Sequence, residues 1–306
     1  MTSFLQSKAW QAFQESLGRT TYTDSGDNWS YLAIKESGTL NTRLYTPAGP
    51  ICTDTASFDQ ALASLKARGK QEHVDFIRID PPTGITSDQL KQRGLRPVTY
   101  QQLQPAHTQI IDLALGKDDI LAQMSQNSRN ITRNYHKKGV SIRKSYNPED
   151  ITILTSLLSR VASRNHITPH SDSYFQTQAQ TLMPLKAAVL YIAEFEDSPI
   201  AVALVYDSDD TRTYAHAAAD DSYRKLNAGT ALVGQMILDA KSSGLVSFDL
   251  YGIADTDDPK HPWAGFTKFK QSFGGQPVTY PGTWDLPLHP YRYRLYRLYQ
   301  TVRRRR

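Results

Sequence analysis

The sequence predicts an α/β protein with two similar domains in tandem. Each half of the chain contains a hairpin pattern, then a helix pattern followed by glycine, and then an apolar strand that ends near an aspartate. The segment SLKARGKQEHVDFIRIDPP in the first half shows the same order of elements as ILDAKSSGLVSFDLYGI in the second half. A pattern that recurs in this way indicates internal duplication, so we expect two related domains side by side.

Length and composition exclude several classes of protein. The chain has 306 residues, 39% of them hydrophobic, which suffices for two globular cores. No apolar run approaches the roughly 20 residues of a membrane span, and the N-terminus lacks the apolar core of a signal peptide. The single cysteine, Cys52, excludes an internal disulfide and suits a reducing compartment. We therefore expect a cytoplasmic protein.

The first half begins with a predicted hairpin, in which residues 29–34 and 41–46 alternate around a short polar turn. A helix follows. Its predicted N-cap is Ser57, and Gly69 is expected at its end because glycine commonly terminates helices.

A buried strand is predicted at 74–79, and it stops at Asp80 because the two prolines that follow cannot extend a ladder. Alternation at 107–113 predicts a further strand. The clearest helix of the chain is predicted at 117–138, with Gly139 as its stop.

The second half predicts helices around an antiparallel meander. Its elements, in order, are a helix over 150–164, a helix that ends near 185, strands over 188–195, 200–206 and 211–218, a helix over 228–243 and a strand over 245–253.

A last short helix, over 265–273, carries the most distinctive lysine. At about 100° per residue its phenylalanines share one face: Phe266, Phe269 and Phe273. Lys268 is then expected in water and Lys270 at the edge of the apolar face. A lysine held there, beside the loop after a strand, can place its charge in a cleft and stabilise an oxyanion. The alternative is that both lysines only solvate the helix.

Positive charge is concentrated in three segments. The stretch 291–306 holds seven arginines and no acid, and it closes with Arg303, Arg304, Arg305 and Arg306. One face of the predicted helix over 117–138 carries Arg129, Arg133, Lys137 and Lys138. Arg224 and Lys225 precede the helix over 228–243. These groups are candidates for binding tRNA, another phosphate or an anionic membrane, whereas solvated helix faces are the alternative.

The segment YRKLNAGTAL resembles, in degenerate form, the Arg-x-x-Gly-x-Gly/Ala turn of acetyltransferases. In that turn, backbone N–H groups at a helix N-terminus bind a pyrophosphate. Asn227 replaces the first glycine here. No Ser-His-Asp elbow, metal-ligand spacing or P-loop occurs, so neither a hydrolase nor a metal site is expected.

Four motifs resemble, in order and spacing, the Fem (FemABX) family of peptidoglycan bridge-forming aminoacyltransferases. They are LQPAHTQIIDL (103–113), MSQNSRNITRNYHKKGV (124–140), VSFDLYGI (246–253) and FTKFKQSFGG (266–275). The resemblance implies two acetyltransferase-like (GNAT) domains without a coiled-coil arm. We expect domains at 1–147 with 286–306, the C-terminal segment packed back, and at 148–285.

The resemblance also implies transfer of an amino acid from aminoacyl-tRNA to the stem peptide of a peptidoglycan precursor, in the cytoplasm, by a monomer. No cofactor is implied, since the tRNA ester already carries the activation. By position, Lys270 matches the lysine that stabilises the transferring carbonyl, and Asp80 matches an acid at the end of the first-domain strand. The attacking amine must lose a proton, which a carboxylate such as Asp80 or a group of the substrate can receive. Tyr174, Tyr214 and His216 match positions that line the acceptor site.

Two positions depart from the family members that use a UDP-linked precursor. Gln14 and His170 stand where those members hold the pyrophosphate with a lysine and an arginine. The resemblance therefore favours a lipid-linked precursor, with the basic C-terminal stretch in peripheral contact with the inner face of an anionic membrane. If the acceptor is instead UDP-linked, Arg78 is a candidate for its phosphates.

Two other functions remain open at this point. An acyl-CoA-dependent N-acyltransferase would use the turn from Arg224 to Gly229. A non-catalytic module that binds tRNA or a membrane surface would depend on the arginines and not on Lys270.

Overall fold

The computed structural model describes residues 3–101, 103–165 and 169–303. The chain forms two compact units. The first unit comprises Leu5–Ala106 and the C-terminal stretch that starts at Thr279, whereas the second unit is His107–Val278, which Phe4 joins.

Helices and strands alternate through both units. The first unit begins with α1 (Lys8–Ser16), β1 (Thr20–Gly26), β2 (Trp29–Gly38), β3 (Asn41–Thr46), β4 (Ile51–Cys52), α2 (Thr55–Gln71), β5 (Phe76–Ile79), α3 (Ser87–Gln92) and β6 (Arg96–Pro97). The second unit has β7 (His107–Asp112), α4 (Lys117–Gln123), α5 (Gln126–Asn134), β8 (Val140–Ser145), α6 (Ile151–Asn165), α7 (Asp172–Leu182), β9 (Ala188–Phe195), β10 (Ser198–Asp207), β11 (Thr211–Ala219), α8 (Ala228–Ser242), β12 (Ser247–Gly252), α9 (Ala264–Gln271) and β13 (Gln276–Thr279). The chain then returns to the first unit with β14 (Trp284–Pro287) and α10 (Pro290–Arg303).

Across the described residues, the two units hold seven-stranded sheets of matching topology. The orders are β1-β2-β3-β5-β14-β6, with β4 beside β2, and β13-β7-β12-β11-β10-β9-β8. In each sheet an antiparallel meander is followed by a helix, α2 or α8, that crosses over to a parallel strand, β5 or β12. An antiparallel strand from a distant part of the chain, β14 or β7, then pairs with that parallel strand. The shared topology confirms the expected duplication of one α/β unit.

The bounds of the units differ from those expected from the sequence. Residues 107–147, expected in the first domain, supply β7 and β8 to the sheet of the second unit. Residues 279–285, expected in the second domain, belong to the first unit. Both differences arise because β7 and β14 pair with strands far away in sequence, and no local pattern reveals such a partner.

Two predicted helices differ in their limits. The helix expected over 117–138 is divided into α4, α5 and a 3₁₀ turn at Tyr135–Lys138. It breaks where the Ser125 side chain accepts a hydrogen bond from the Ser128 N–H and begins a new helix. The N-cap of α2 is Asp54, with which Ser57 forms a capping box, so Ser57 is the third helical residue and not the cap.

The first unit has a charged pair in its interior. Arg78 of β5 and Asp285 of β14 lie opposite each other in the sheet, and both side chains are fully buried. Arg78 donates from Nε to Oδ1 at 2.7 Å and from Nη2 to Oδ2 at 2.9 Å. The hydroxyls of Tyr100 and Tyr293 donate to Asp285 Oδ2. This pair ties the C-terminal stretch to the first sheet.

Removal of one member of this pair should destabilise the protein strongly. Arg78→Met leaves the Asp285 carboxylate buried without its counter-ion, which typically costs about 3 to 5 kcal/mol. Denaturant unfolding should show a loss of this size, whereas Lys91→Met, which breaks the exposed pair with Asp88, should change the free energy of unfolding by less than about 1 kcal/mol. Equal losses for the two variants would contradict a structural role for the buried pair.

Candidate active site

Lys270 lies in the last turn of α9, beside the end of β12. Its ammonium donates a hydrogen bond of 2.6 Å to the carbonyl of Gly252, the last residue of that strand. The side chain is half-buried, while Lys268 is exposed, as the helix geometry predicts. Phe266 was expected on the buried face and is instead exposed, because the first turn of α9 lies outside the apolar cluster that receives Phe269 and Phe273.

A carboxylate that the sequence did not single out lies near Lys270. Asp249 of β12 accepts hydrogen bonds from the hydroxyl of Thr108 and, at 2.7 Å, from the N–H of Tyr251. Burial raises the pKa of Asp249, although the nearby Lys270 charge opposes this. Burial lowers the pKa of Lys270 to about 8, and the Asp249 charge limits the decrease. Asp249 lies on the polar face that the alternation of SFDLYG indicates, and its contact with Thr108 forms because β7 pairs with β12.

Polar contacts on both sides of α9 hold Lys270 in place. The N–H of Ala254 donates to the Thr267 hydroxyl at 2.8 Å, which connects α9 to the loop after β12. At the other end, the carbonyl of Ser272 accepts from the Ser125 N–H at 2.8 Å. Gly275 adopts a φ of +78°, and a Cβ there would lie 2.3 Å from the carbonyl oxygen of Ile110. Only glycine therefore fits this turn.

An aromatic cluster connects the start of α7 to β10 and β11 in the second unit. His170 stacks on Tyr174 with ring centroids 4.1 Å apart, and Phe175 packs edge-on against His216 at 5.0 Å. His216 Nε2 and the Tyr206 hydroxyl share a hydrogen bond of 3.1 Å. Burial, together with the charge of a protonated His170, lowers the pKa of His216 to about 4, so His216 is neutral near pH 7. The structure thus brings together three of the expected acceptor residues: His170, Tyr174 and His216.

Tyr214 does not belong to this cluster. In β11, Tyr214 pairs with Val205 and His216 pairs with Leu204, which leaves Ala215 as an extra residue. This β-bulge turns the two side chains to opposite faces, since one inserted residue reverses the alternation of a strand. Tyr214 packs against the apolar core of the second unit. The expectation that Tyr214 lines the acceptor site with His216 is therefore wrong.

In the first unit, Asp80 follows β5 and is almost completely buried. Its carboxylate accepts hydrogen bonds from the Tyr45 hydroxyl at 2.7 Å, the Thr283 hydroxyl at 2.6 Å and the Ala48 N–H at 3.2 Å. Burial raises the pKa of Asp80 above the ordinary value of an aspartate, despite these donors. A carboxylate with a raised pKa is a better proton acceptor than a solvated one.

Two residues expected to contact substrate lie in the interior of the first unit. Arg78 is 0% exposed and pairs with Asp285. Gln14 is 1% exposed, and its Oε1 accepts a hydrogen bond of 2.7 Å from Arg19. Both side chains are used by the fold, because a buried polar group needs a partner within the protein. Neither presents its polar end at the surface of the first unit.

The expected basic residues of the second unit form a connected surface. Arg133, Lys137 and Lys138 are exposed, and Arg129 is partly exposed. The ammonium of Lys138 donates to the carbonyl of Lys225 at 3.1 Å, which joins this set to Arg224 and Lys225. This hydrogen bond brings Arg224 and Lys225 to Lys138, and the six cations of the two segments form an arrangement suited to a polyanion.

The turn before α8 does not favour a pyrophosphate. Asn227 adopts a left-handed conformation with a φ of 56° and makes no side-chain cap on the helix. The depression beside it has a volume of about 430 Å³ and is lined by Asp220 and Asp221 as well as Arg160 and Arg224. Since Arg160 pairs with Asp220 at 3.1 Å, the depression has no excess of positive charge for a pyrophosphate, which counts against the acyl-CoA alternative.

The C-terminal arginines are described only in part. Arg303 is the last residue of α10, and Arg304, Arg305 and Arg306 lie outside the described residues. Over the described part of the chain, no cluster of His, Cys, Asp and Glu could hold a metal ion. None of the helices described combines the length and hydropathy needed to cross a membrane.

Comparison with known proteins identifies the family. The FemAB family model matches the chain twice, over residues 89–197 and 185–301. No curated protein matches the sequence. The structure is similar to the crystal structure of FemX, with a TM-score of 0.83, 16% identity and coverage of 96% of this chain and 94% of that chain.

Two further structures share the fold at lower similarity. One is the C-terminal domain of a putative lysylphosphatidylglycerol synthetase from Agrobacterium fabrum, with a TM-score of 0.61, 10% identity and coverage of 95% and 91% of the two chains. The other is a tandem GNAT protein from the clavulanic acid biosynthesis pathway, with a TM-score of 0.51, 13% identity and coverage of 86% and 81%. The two units are thus GNAT-like, as expected. Since the matched regions extend over more than half of the sequence, the chain belongs to the FemAB family of peptidoglycan bridge-forming aminoacyltransferases.

Proposed function

We propose that this chain transfers an amino acid from aminoacyl-tRNA to an amine on the stem peptide of a lipid-linked peptidoglycan precursor, on the cytoplasmic side of the membrane. The observation that carries the proposal is Lys270, an ammonium at the end of β12 within the motif FTKFKQSFGG that resembles the family. A cation held in this way can stabilise an oxyanion without reorganisation during the reaction.

The reaction consists of an attack by an amine on an ester. The neutral amine of the stem peptide forms a C–N bond to the ester carbonyl, and the carbonyl oxygen becomes an oxyanion that Lys270 stabilises. The C–O bond to the tRNA ribose then breaks, and the proton that the amine loses passes, through a basic group of the substrate, to the ribose oxygen. The ribose hydroxyl leaves in its protonated form. The ester supplies the activation, so the proposal includes no cofactor.

The two substrates differ in the groups that would recognise them. The basic surface around Lys138 and Arg224 suits the phosphates of the tRNA. The aromatic cluster of His170, Tyr174 and His216 suits the acceptor, and its neutral His216 adds no charge for a pyrophosphate. Arg78, the candidate for the phosphates of a UDP-linked precursor, is buried, and so is Gln14, which stands in place of a phosphate-binding lysine. A lipid-linked precursor has its pyrophosphate at the membrane and needs such phosphate contacts less.

The donor can be tested with purified protein, a soluble stem-peptide analogue and either charged tRNA or acetyl-CoA. We expect mass spectrometry to show an amino-acid increment with charged tRNA only, and tRNA stripped of its amino acid by mild base serves as the control. An acetyl increment without tRNA would replace the proposal with an acyl-CoA-dependent activity. No product from either donor, together with tight binding of RNA, would favour a non-catalytic module.

The same assay distinguishes the two forms of the acceptor. We expect a higher kcat/KM with the lipid-linked precursor in vesicles than with the UDP-linked precursor in solution. Efficient, saturable use of the UDP-linked form would overturn the lipid-linked part of the proposal while leaving the donor unchanged.

Substitution of Lys270 tests its role in catalysis. Lys270→Met should lower kcat by about 10² to 10³, because loss of one preorganised donor to an oxyanion typically costs this much. The matched control is Lys268→Met, which removes an exposed lysine two residues away on the same helix and should leave kcat nearly unchanged. Both variants should unfold at similar temperatures. Equal kinetic effects would remove Lys270 from the mechanism.

The pH dependence of the rate provides a second test of Lys270. Only the protonated lysine stabilises an oxyanion, so the rate should decrease as the pH rises through about 8, the pKa of Lys270. Asp249→Asn removes the negative charge that supports the protonated form, so the alkaline decrease should move to lower pH. Thr108→Val removes the hydroxyl bonded to Asp249 but keeps the charge, and we expect a smaller displacement. If Asp249→Asn leaves the alkaline decrease in rate at the same pH, that decrease does not come from the titration of Lys270.

A further inference from the structure

The outer face of α10 exposes a continuous apolar stripe. Four of its side chains are unusually exposed for their type: Tyr291 at 80%, Leu295 at 65%, Leu298 at 62% and Val302 at 51%. Their spacing of four, three and four residues places them within about 60° of one another on a helix. The stripe runs over roughly 16 Å of helix length. A row of this kind exceeds the scattered single apolar residues that are normal on protein surfaces.

The fold does not use this face of the helix. The opposite face attaches α10 to the first unit through two buried tyrosines: Tyr296 stacks on Phe76 at 5.1 Å, and the Tyr293 hydroxyl donates to Asp285 at 3.1 Å. Leu295 and Leu298 lie on the far side of the helix from these contacts. They are therefore outside the apolar clusters of the first unit, and their exposure is not explained by folding.

Cations border the stripe on both sides. At about 100° per residue, Arg294 lies to one side of the stripe and Arg292 to the other. Both are exposed, and Arg292 also pairs with Asp75 at 2.8 Å. The sequence from Pro290 to the last residue contains no aspartate or glutamate. The helix thus has an apolar centre and a positive border on its outward side.

We propose that this outer face of α10 is a docking surface for an anionic membrane, on which the helix lies parallel to the bilayer plane. Helices that bind in this way combine an apolar face that enters the interface with basic residues that contact lipid phosphates. Tyr291, at the start of the stripe, suits the boundary between lipid headgroups and acyl chains. The inference rests on the proposed function in one respect: a lipid-linked acceptor would be presented at that same surface.

Other occupants fit the surface less well. A second copy of α10 would bring its arginines against those of the first, with no acid on either helix to offset the repulsion. RNA would satisfy the arginines and could stack a base on Tyr291, but the other three side chains of the stripe, Leu295, Leu298 and Val302, offer bases no ring. An anionic bilayer satisfies the apolar and the charged parts together.

Vesicle sedimentation can test the docking surface. The full chain should bind vesicles of phosphatidylcholine and phosphatidylglycerol in equal parts, and bind phosphatidylcholine alone more weakly. Leu295→Ser/Leu298→Ser should weaken binding to the mixed vesicles by about tenfold or more, because both side chains lose their transfer out of water. Arg294→Gln should weaken it about fivefold, and high salt should reduce that difference.

Two matched variants control for general effects. Leu40→Ser/Leu185→Ser replaces two leucines of similar exposure outside α10, and Lys70→Gln removes an exposed cation elsewhere in the first unit. Neither should change vesicle binding. Equal losses in test and control variants, or unchanged binding by Leu295→Ser/Leu298→Ser, would overturn the proposal. The proposal would also be overturned if Leu295→Ser/Leu298→Ser lost tRNA binding or self-association while it still bound vesicles.

Docking and catalysis can fail separately in these experiments. Leu295→Ser/Leu298→Ser should transfer to a soluble stem-peptide analogue at the rate of the unchanged protein and should be slower only with the lipid-linked precursor in vesicles. If no transfer occurs with any acceptor but the vesicle results hold, the proposed function fails and the docking surface stands. If transfer occurs and the vesicle results fail, only the docking surface is lost.

Discussion

The buried pair between Arg78 and Asp285 is the constraint on which the first unit depends. Each charge would be costly in the interior without the other, so the pair admits one register of β14 beside β5. The Asp285 carboxylate also accepts a hydrogen bond from the Tyr293 hydroxyl, and this contact attaches α10 to the first unit. The placement of the last strand and of the last helix therefore follows from one ionic contact, and so does the direction in which the outer face of α10 points.

The duplicated topology places a carboxylate with a raised pKa at the end of the parallel strand in each unit. Asp80 follows the last pair of β5 with β3, and Asp249 is part of the last pair of β12 with β11. Burial raises the pKa of both. The nearby cation differs between the described parts of the two units: the Lys270 ammonium acts on Asp249, whereas the Arg78 guanidinium acts on Asp80. The two copies thus share a framework at the strand end and have diverged in the cation that accompanies it.

The sequence predicted those features that depend on neighbouring residues. The meander of the second unit, α8 and the position of Lys270 relative to Lys268 follow from local periodicity. The pairing of β7 and β14 could not be predicted, because their partners lie far away in sequence. The bulge at Ala215 adds one residue without any compositional mark, so the separation of Tyr214 from His216 was invisible. The ion pair of Arg78 and the contacts of Asp249 could not be predicted either, because the strands that pair with β5 and β12 come from elsewhere in the chain.

The return of the chain to the first unit also has a consequence for synthesis. Arg78 and Asp285 are separated by 207 residues, so β5 lacks its neighbour β14 until the whole second unit has been made. At typical translation rates this interval lasts roughly 10 to 40 seconds. The second unit, by contrast, draws all of its strands from one continuous stretch. It can close its sheet while the first unit still has an open strand edge and an unpaired arginine, so the part of the chain that leaves the ribosome first is the last to finish folding.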